Sequence, residues 1–144
     1  MLVSQILKTK ADDSVTTVMP DMLIAEAAKM LSDKRIGTLV ISTDGKTPDG
    51  ILSERDIVRE LGRQGSSCLE MTVESLMTRK LVTCTKNERA DAILNTMTEG
   101  RFRHMPVLED GVLIGLISLG DVVKSRLMEL SMEKDALEGM IMGH

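Results

Sequence analysis

The two halves of this chain repeat one pattern in register, and that duplication decides what the chain can become. Val15-Thr-Thr-Val-Met-Pro-Asp21 parallels Leu81-Val-Thr-Cys-Thr-Lys-Asn87, and Arg35-Ile-Gly-Thr-Leu-Val-Ile41 parallels Arg101-Phe-Arg-His-Met-Pro-Val107, both at a shift of 66 positions. Asp44-Gly45 matches Asp110-Gly111 at the same shift. After a one-residue deletion, Gly50-Ile-Leu-Ser-Glu-Arg-Asp56 parallels Gly115-Leu-Ile-Ser-Leu-Gly-Asp121 at a shift of 65. A chain built this way holds two copies of one supersecondary unit, each too small to bury enough surface alone.

Each copy carries the same periodicities. A short β-branched strand, Val15 to Val18 or Leu81 to Cys84, leads into a polar turn where Pro20 and Asp21, or Asn87, begin a helix. Apolar residues then recur at helical spacing: Ile24, Ala27, Ala28 and Leu31 in the first copy, Ala90, Ile93, Leu94 and Met97 in the second. Buried strands follow over Thr38 to Ile41 and Met105 to Leu108, and Asp-Gly between apolar runs signals a hairpin in each copy. The returning strand ends at Ser53 or Ser118, where a second helix starts. The order is β-α-β-β-α, twice, and predicts an α/β fold with the repeats packed sheet to sheet about a pseudo-twofold axis. The reading divides the chain into a first repeat over 1–64, a linker over 65–74 around Gly65-Ser66-Ser67, a second repeat over 75–130 and a C-terminal helical tail over 131–144. Leu127, Leu130, Leu137 and Ile141 continue the helical spacing into that tail, which is expected to meet a partner helix.

Bulk properties narrow the partners. A hydrophobic content of 42% over 144 residues suffices for one core, and a formal charge of -4 offers no attraction to nucleic acid or anionic lipid. No apolar run approaches the ~20 residues of a membrane span, and the N-terminus lacks a secretion signal, so a cytoplasmic location is expected. Cys68 and Cys84 have no nearby Cys or His partner at zinc-site spacing and read as reduced thiols, with no metal site. Phe102 is the single aromatic, so a flat ligand ring would have to lie between aliphatic side chains rather than on a stacked one.

With these motifs in hand, the chain resembles the CBS domains, named after cystathionine beta-synthase, which occur as tandem pairs called Bateman modules. The likeness runs from about Val3 to Leu130 and rests on the duplicated Gly-aliphatic-aliphatic-Ser-x-x-Asp, on the preceding strand ending near Met105-Pro106-Val107, and on the threonine-bearing first strand with Thr17 and Thr83. The resemblance implies adenosine-containing ligands in clefts between the repeats: AMP, ADP, ATP, S-adenosylmethionine or NAD(H), with AMP foremost. It implies that Asp56 and Asp121 hold ribose hydroxyls, that Ser53 and Ser118 meet phosphate, and that Arg103 and His104 supply charge before Met105 and Pro106. In the first copy Gly37 and Thr38 stand in those basic places, and Arg55 is the candidate substitute.

Read on its own chemistry, each Ser-x-x-Asp has two meanings. A serine at a helix N-terminus can seat an anion against free backbone N-H groups, and the same spacing is a variant capping box in which the pair satisfies its own helix start. Arg101 aligns with Arg35 and reads either as a phosphate ligand or as a helix-end residue. No nucleophile elbow, P-loop or dinucleotide fingerprint occurs, so no catalysis is expected. The expected role is a regulatory sensor that passes nucleotide occupancy to an as yet unidentified protein, as a homodimer; the alternative is a ligand-free dimerisation module.

Overall fold

The computed structural model describes residues 1–10 and 14–142, so part of the first repeat's leading stretch and the last two residues of the expected tail fall outside the described residues. The elements are α1 (Val3–Thr9), β1 (Thr17–Val18), α2 (Ile24–Lys34), β2 (Thr38–Ile41), β3 (Gly50–Ser53), α3 (Glu54–Gln64), a 3-10 helix (Gly65–Glu70), α4 (Val73–Leu76), α5 (Ala90–Gly100), β4 (His104–Glu109), β5 (Val112–Ser118) and α6 (Leu119–Ile141). The chain is α/β with a long C-terminal helix, as the duplicated pattern predicts. Contacts gather it into two units: one takes in residues 1–13, 83–107 and 115–144, the other residues 14–82 and 108–114.

In the unit built around the first copy, β1 pairs parallel with β2, and β2 pairs antiparallel with β3. Leu39, Ile41 and Leu52 from this sheet pack against Ile24, Ala27 and Leu31 of α2 and against Ile57, Val73 and Met77. Burying aliphatic side chains of this size contributes about 1.5–3 kcal/mol each. The 3-10 helix occupies most of residues 65–74 and buries Cys68 completely.

In the other unit, Val3 and Ile6 of α1 join Ala90, Ile93 and Met97 of α5, Met105 and Val107 of β4, Ile117 of β5 and Val122 of α6 in a second aliphatic core. Methionine serves as adaptable filler here, as its abundance suggests. The first strand of this copy shrinks to a single parallel bridge, Cys84 to Val107. The reason is chemical. In the first copy Val40 N-H donates to Thr16 O at 3.2 Å; its counterpart is Pro106, which has no N-H to give. The donation from Cys84 N to Pro106 O, 3.0 Å, remains.

The first helix of each copy starts three residues later than its polar turn suggests, at Ile24 and Ala90, after Leu23 and Arg89 in extended conformation. Neither has a side-chain cap. Their opening N-H groups are taken by backbone instead: Ile24 N donates to Met71 O at 2.8 Å, and Ala90 N to Met1 O at 2.9 Å. A helix start satisfied by a neighbouring chain segment needs no Ser, Asp or Asn at its cap, which is why Asp21 and Asn87 misplace it. Both helices end alike, on Arg35 (φ 54°) and Arg101 (φ 56°) in the left-handed region, so Arg101 is a helix-end residue as well as a basic one.

The two Asp-Gly turns differ. Asp110 (φ 51°) and Gly111 (φ 78°) form a tight two-residue turn between β4 and β5. Asp44-Gly45 instead lies inside a longer loop organised by the Asp44 carboxylate, which accepts from Lys46 N and Thr47 N at 2.8 Å each and from Ser42 Oγ at 3.1 Å. These backbone donors hold its pKa down at about 2.

Candidate functional site

Strand β3 ends on Ser53 and β5 on Ser118, both extended (φ −104° and −96°), and a helix begins immediately after each. Ser53 Oγ accepts from Asp56 N at 3.3 Å, and Asp56 Oδ2 accepts from Ser53 N at 2.8 Å. In the second copy Ser118 Oγ accepts from Asp121 N at 3.1 Å, and Asp121 Oδ2 accepts from Ser118 N at 2.9 Å. Both motifs are therefore reciprocal capping boxes. The cap fixes each carboxylate at a helix start with only one oxygen committed to the box, so the capping and ligand-holding readings are compatible.

The residues before these helices are placed identically in the two copies. Glu54 N donates to Gly37 O at 2.9 Å, and Leu119 N donates to Arg103 O at 2.7 Å. Gly37 and Arg103 are thus equivalent positions, each tied by its carbonyl to the helix start beside the motif Ser and Asp. The first copy brings together Gly37, Thr38, Ser53 and Asp56, with Thr38 directly across the sheet from Ser53. Glu54 lies next to Gly37, where an added Cβ would meet its carboxyl at 3.6 Å. Thr17 stands on β1, opposite Val40 rather than Thr38. Arg55 is exposed on the first turn of α3, and Asp56 is paired with Arg59, whose Nη1 lies 3.5 Å from Oδ1.

The second copy brings together Arg103, Ser118 and Asp121. Arg103 and Thr83 are exposed and His104 is partly so, whereas Met105 and Pro106 are buried, Met105 with its side chain in the core. Met105 can therefore meet a ligand only through its backbone or after repacking. Sequence reasoning passed over Lys10. Its Nζ lies 3.0 Å from Asp121 Oδ2 and donates to Leu116 O at 2.8 Å. Partial burial raises the pKa of Asp121, but the Ser118 N-H and the Lys10 ammonium outweigh it and leave the pKa below its ordinary value. Beside this pair lies a cavity of about 420 Å³ lined by Thr9, Lys10, Asp121, Lys124, Ser125 and Met128, among others. A hollow of about 580 Å³ in the other unit is lined by Arg35, Gly37, Glu54, Ile57 and Val58, among others. Among the described residues no group of His, Cys, Asp and Glu could hold a metal ion, and no helix is long and apolar enough to cross a membrane.

A duplicated α/β module whose copies each present Ser-x-x-Asp at a helix start defines a class of paired regulatory domains. The chain belongs to the CBS domain family, whose profile matches residues 3–63 and 73–127. It is 33% identical to the mitochondrial CBS domain-containing protein CBSX3 of Arabidopsis thaliana, covering 98% of this chain and 72% of that one. Among solved structures it is similar to a CBS-domain containing protein from Agrobacterium tumefaciens, at 43% identity and a TM-score of 0.83, with 88% of this chain and 99% of that one covered. It also resembles the CBS domain pair of protein MJ0100 in complex with 5'-methylthioadenosine and S-adenosyl-L-methionine, at 27% identity and a TM-score of 0.76, covering 91% and 98%.

Proposed function

We propose that this chain is a sensor module that binds adenosine-containing ligands, AMP foremost, with NAD(H), ATP, ADP or S-adenosylmethionine as the other members of the class, and that it catalyses nothing. The observation that carries the reading is the pair of capping boxes, each of which holds a part-buried aspartate at a helix start through Oδ2 and leaves Oδ1 outside the box, shared in Asp56 with the exposed Arg59. The MJ0100 pair, solved with two adenosine derivatives, supports the same ligand class. Asp56 and Asp121 take the ribose, and Ser53 and Ser118 stand at the phosphate end. Arg103 and His104 supply charge in the second copy, and Arg55 in the first. Thr17, Gly37, Thr38, Thr83, Met105 and Pro106 line the approach.

The module works in the cytoplasm as a homodimer, and occupancy shifts its conformation for a regulated protein to read. The domain division into 1–64, 65–74, 75–130 and 131–144 is part of this reading. Calorimetric titration with AMP, ATP, NADH and S-adenosylmethionine tests it. A ligand present at 100 times its Kd stabilises the fold by about 2.7 kcal/mol, so a parallel melting experiment separates it from the alternative of a ligand-free dimerisation module. No heat and no melting shift with any of the four would leave only that alternative.

A further inference from the structure

Resting on the adenylate reading, we propose that Lys10 makes the second copy selective for anionic adenylates: it occupies the Asp121 carboxylate in the empty protein and transfers to the ligand's phosphate on binding. The Lys10 ammonium sits 3.0 Å from Asp121 Oδ2 and 2.8 Å from the Leu116 carbonyl, and both partners of the ion pair keep only about a quarter of their side-chain surface exposed, 25% and 24%.

A neutral nucleoside that places its two hydroxyls on Asp121 competes with Lys10 for Oδ2. If it wins, a partly buried ammonium loses its charge partner, which is costly. A phosphorylated nucleoside brings a replacement anion, and the four-carbon lysine stem can swing to meet it. Lys124 lines the same cavity and adds a second positive charge there. Lys10 is a positioning residue toward Asp121 in the empty state and a phosphate ligand in the filled one.

The first copy is built differently at this point. The segment Val3 to Lys10 has its counterpart in Val73 to Lys80, because Val3 N and Ser4 N donate to Glu88 O and Lys86 O just as Val73 N and Glu74 N donate to Met22 O and Pro20 O. Lys80 therefore occupies the place of Lys10, yet its side chain is exposed and Asp56 is paired with Arg59 instead. The lysine lock belongs to the second copy alone among the described residues.

The test titrates adenosine and AMP into the full chain carrying Asp56→Ala, so that the second copy reports alone, with Lys10, Lys10→Met or Lys10→Arg. A charge-assisted bond is worth about tenfold or more in affinity. Lys10→Met should therefore weaken AMP about tenfold while leaving adenosine unchanged or tighter, and Lys10→Arg should keep the parent's AMP preference. An unchanged AMP-to-adenosine ratio in Lys10→Met, or equal losses for both ligands, overturns the assignment of Lys10 while adenylate binding stands. A parent that binds AMP no better than adenosine overturns it too. A wild-type chain that takes neither ligand overturns the assignment of Lys10, and the adenylate reading falls with it when ATP, NADH and S-adenosylmethionine also give no heat.

Discussion

Gly115 faces Leu7 so closely that a Cβ on the glycine would stand 2.8 Å from Leu7 Cδ2, and Gly50 faces Met77 in the same way, at 2.4 Å from Sδ. The glycine that opens each Gly-aliphatic-aliphatic-Ser-x-x-Asp motif is thus where the strand leading to the site packs under α1 or α4. The motif residue serves packing, while the serine and aspartate that follow serve the site.

That contact ranks two substitutions. In a strand, alanine would ordinarily be favoured over glycine. Here the added methyl must displace Leu7 methyls at one site, which can rotate away. At the other it must displace the Met77 thioether with the Thr78 carbonyl only 3.1 Å off. Gly50→Ala should cost about 2–3 kcal/mol and Gly115→Ala about 1 kcal/mol or less, measured by urea unfolding. The reverse order would mean that the α1 contact is the tighter one.

Much of this was legible in the sequence because duplication reports architecture directly. The shift of 66 locates β2 against β4, and the shift of 65 locates both serine caps. What stayed hidden depends on contacts between segments far apart in the chain. Leu23 and Arg89 replace Asp21 and Asn87 at helix starts because the Met71 and Met1 carbonyls take the first N-H groups. Lys10 reaches Asp121 across 111 positions. Its signal was present in a further internal match, Val3 to Lys10 with Val73 to Lys80 at a shift of 70, a match without the glycines and aspartates that make the Gly-aliphatic-aliphatic-Ser-x-x-Asp match conspicuous.

Asp121 links the site to stability. Its pKa lies below the ordinary value of 3.8, because the Ser118 N-H and Lys10 outweigh burial. A carboxyl depressed in the folded state contributes stability that is fully present above its unfolded value and disappears as pH falls through the folded one. Unfolding free energy should therefore decline below about pH 4, and Asp121→Asn should flatten that decline. An equally steep acid slope in the variant would show that the carboxylate is not held by these partners.

Cys84 is buried, and desolvation, with the nearby Glu88 charge adding to it, pushes its thiol up to about 12. The thiolate is the reactive form, so at pH 8 the native chain should react with a disulfide reagent at Cys84 far more slowly than the urea-unfolded chain, by a hundredfold or more on the order of the thiolate deficit. Rapid labelling of native Cys84, located by peptide mapping, would contradict its placement in the α5–β4 core.

Arg103 offers a separation of phosphate from ribose recognition. Its carbonyl holds the start of α6 through Leu119, but its side chain is exposed and takes no part in that bond. Arg103→Ala should leave unfolding within about 0.5 kcal/mol of wild type while weakening AMP about tenfold and adenosine hardly at all. Equal losses for both ligands would remove Arg103 from the phosphate end.

The tail carries the prediction about self-association. On α6, Val123, Leu127, Leu130, Leu137 and Ile141 are exposed, Leu127 by 62% and Ile141 by 84%. Their spacing alternates between four and three once Lys134 is counted, the seam of a two-helix coil. A parallel pair in register would set Lys134 against the partner's Lys134 once and bring Glu133 near the partner's Glu138 twice by symmetry, three like-charge contacts. An antiparallel pair that sets Leu127 against the partner's Leu137 instead puts Lys124 beside the partner's Glu138, twice by symmetry, and faces Val123 with the partner's Ile141. The antiparallel pair brings Glu133 near the partner's Glu133 once, against two opposite-charge contacts, so the balance of charge favours the antiparallel arrangement. Leu130→Glu with Leu137→Glu should shift sedimentation toward the monomer, and a cysteine at position 131, which borders this seam at its centre, should cross-link to its own copy more readily than cysteines at 123 or 141, because only residues near the centre of an antiparallel pair meet themselves. Efficient self-cross-linking at 123 and 141 would show the parallel pair, and an unchanged sedimentation profile in the double variant would place the dimer contact elsewhere than on α6.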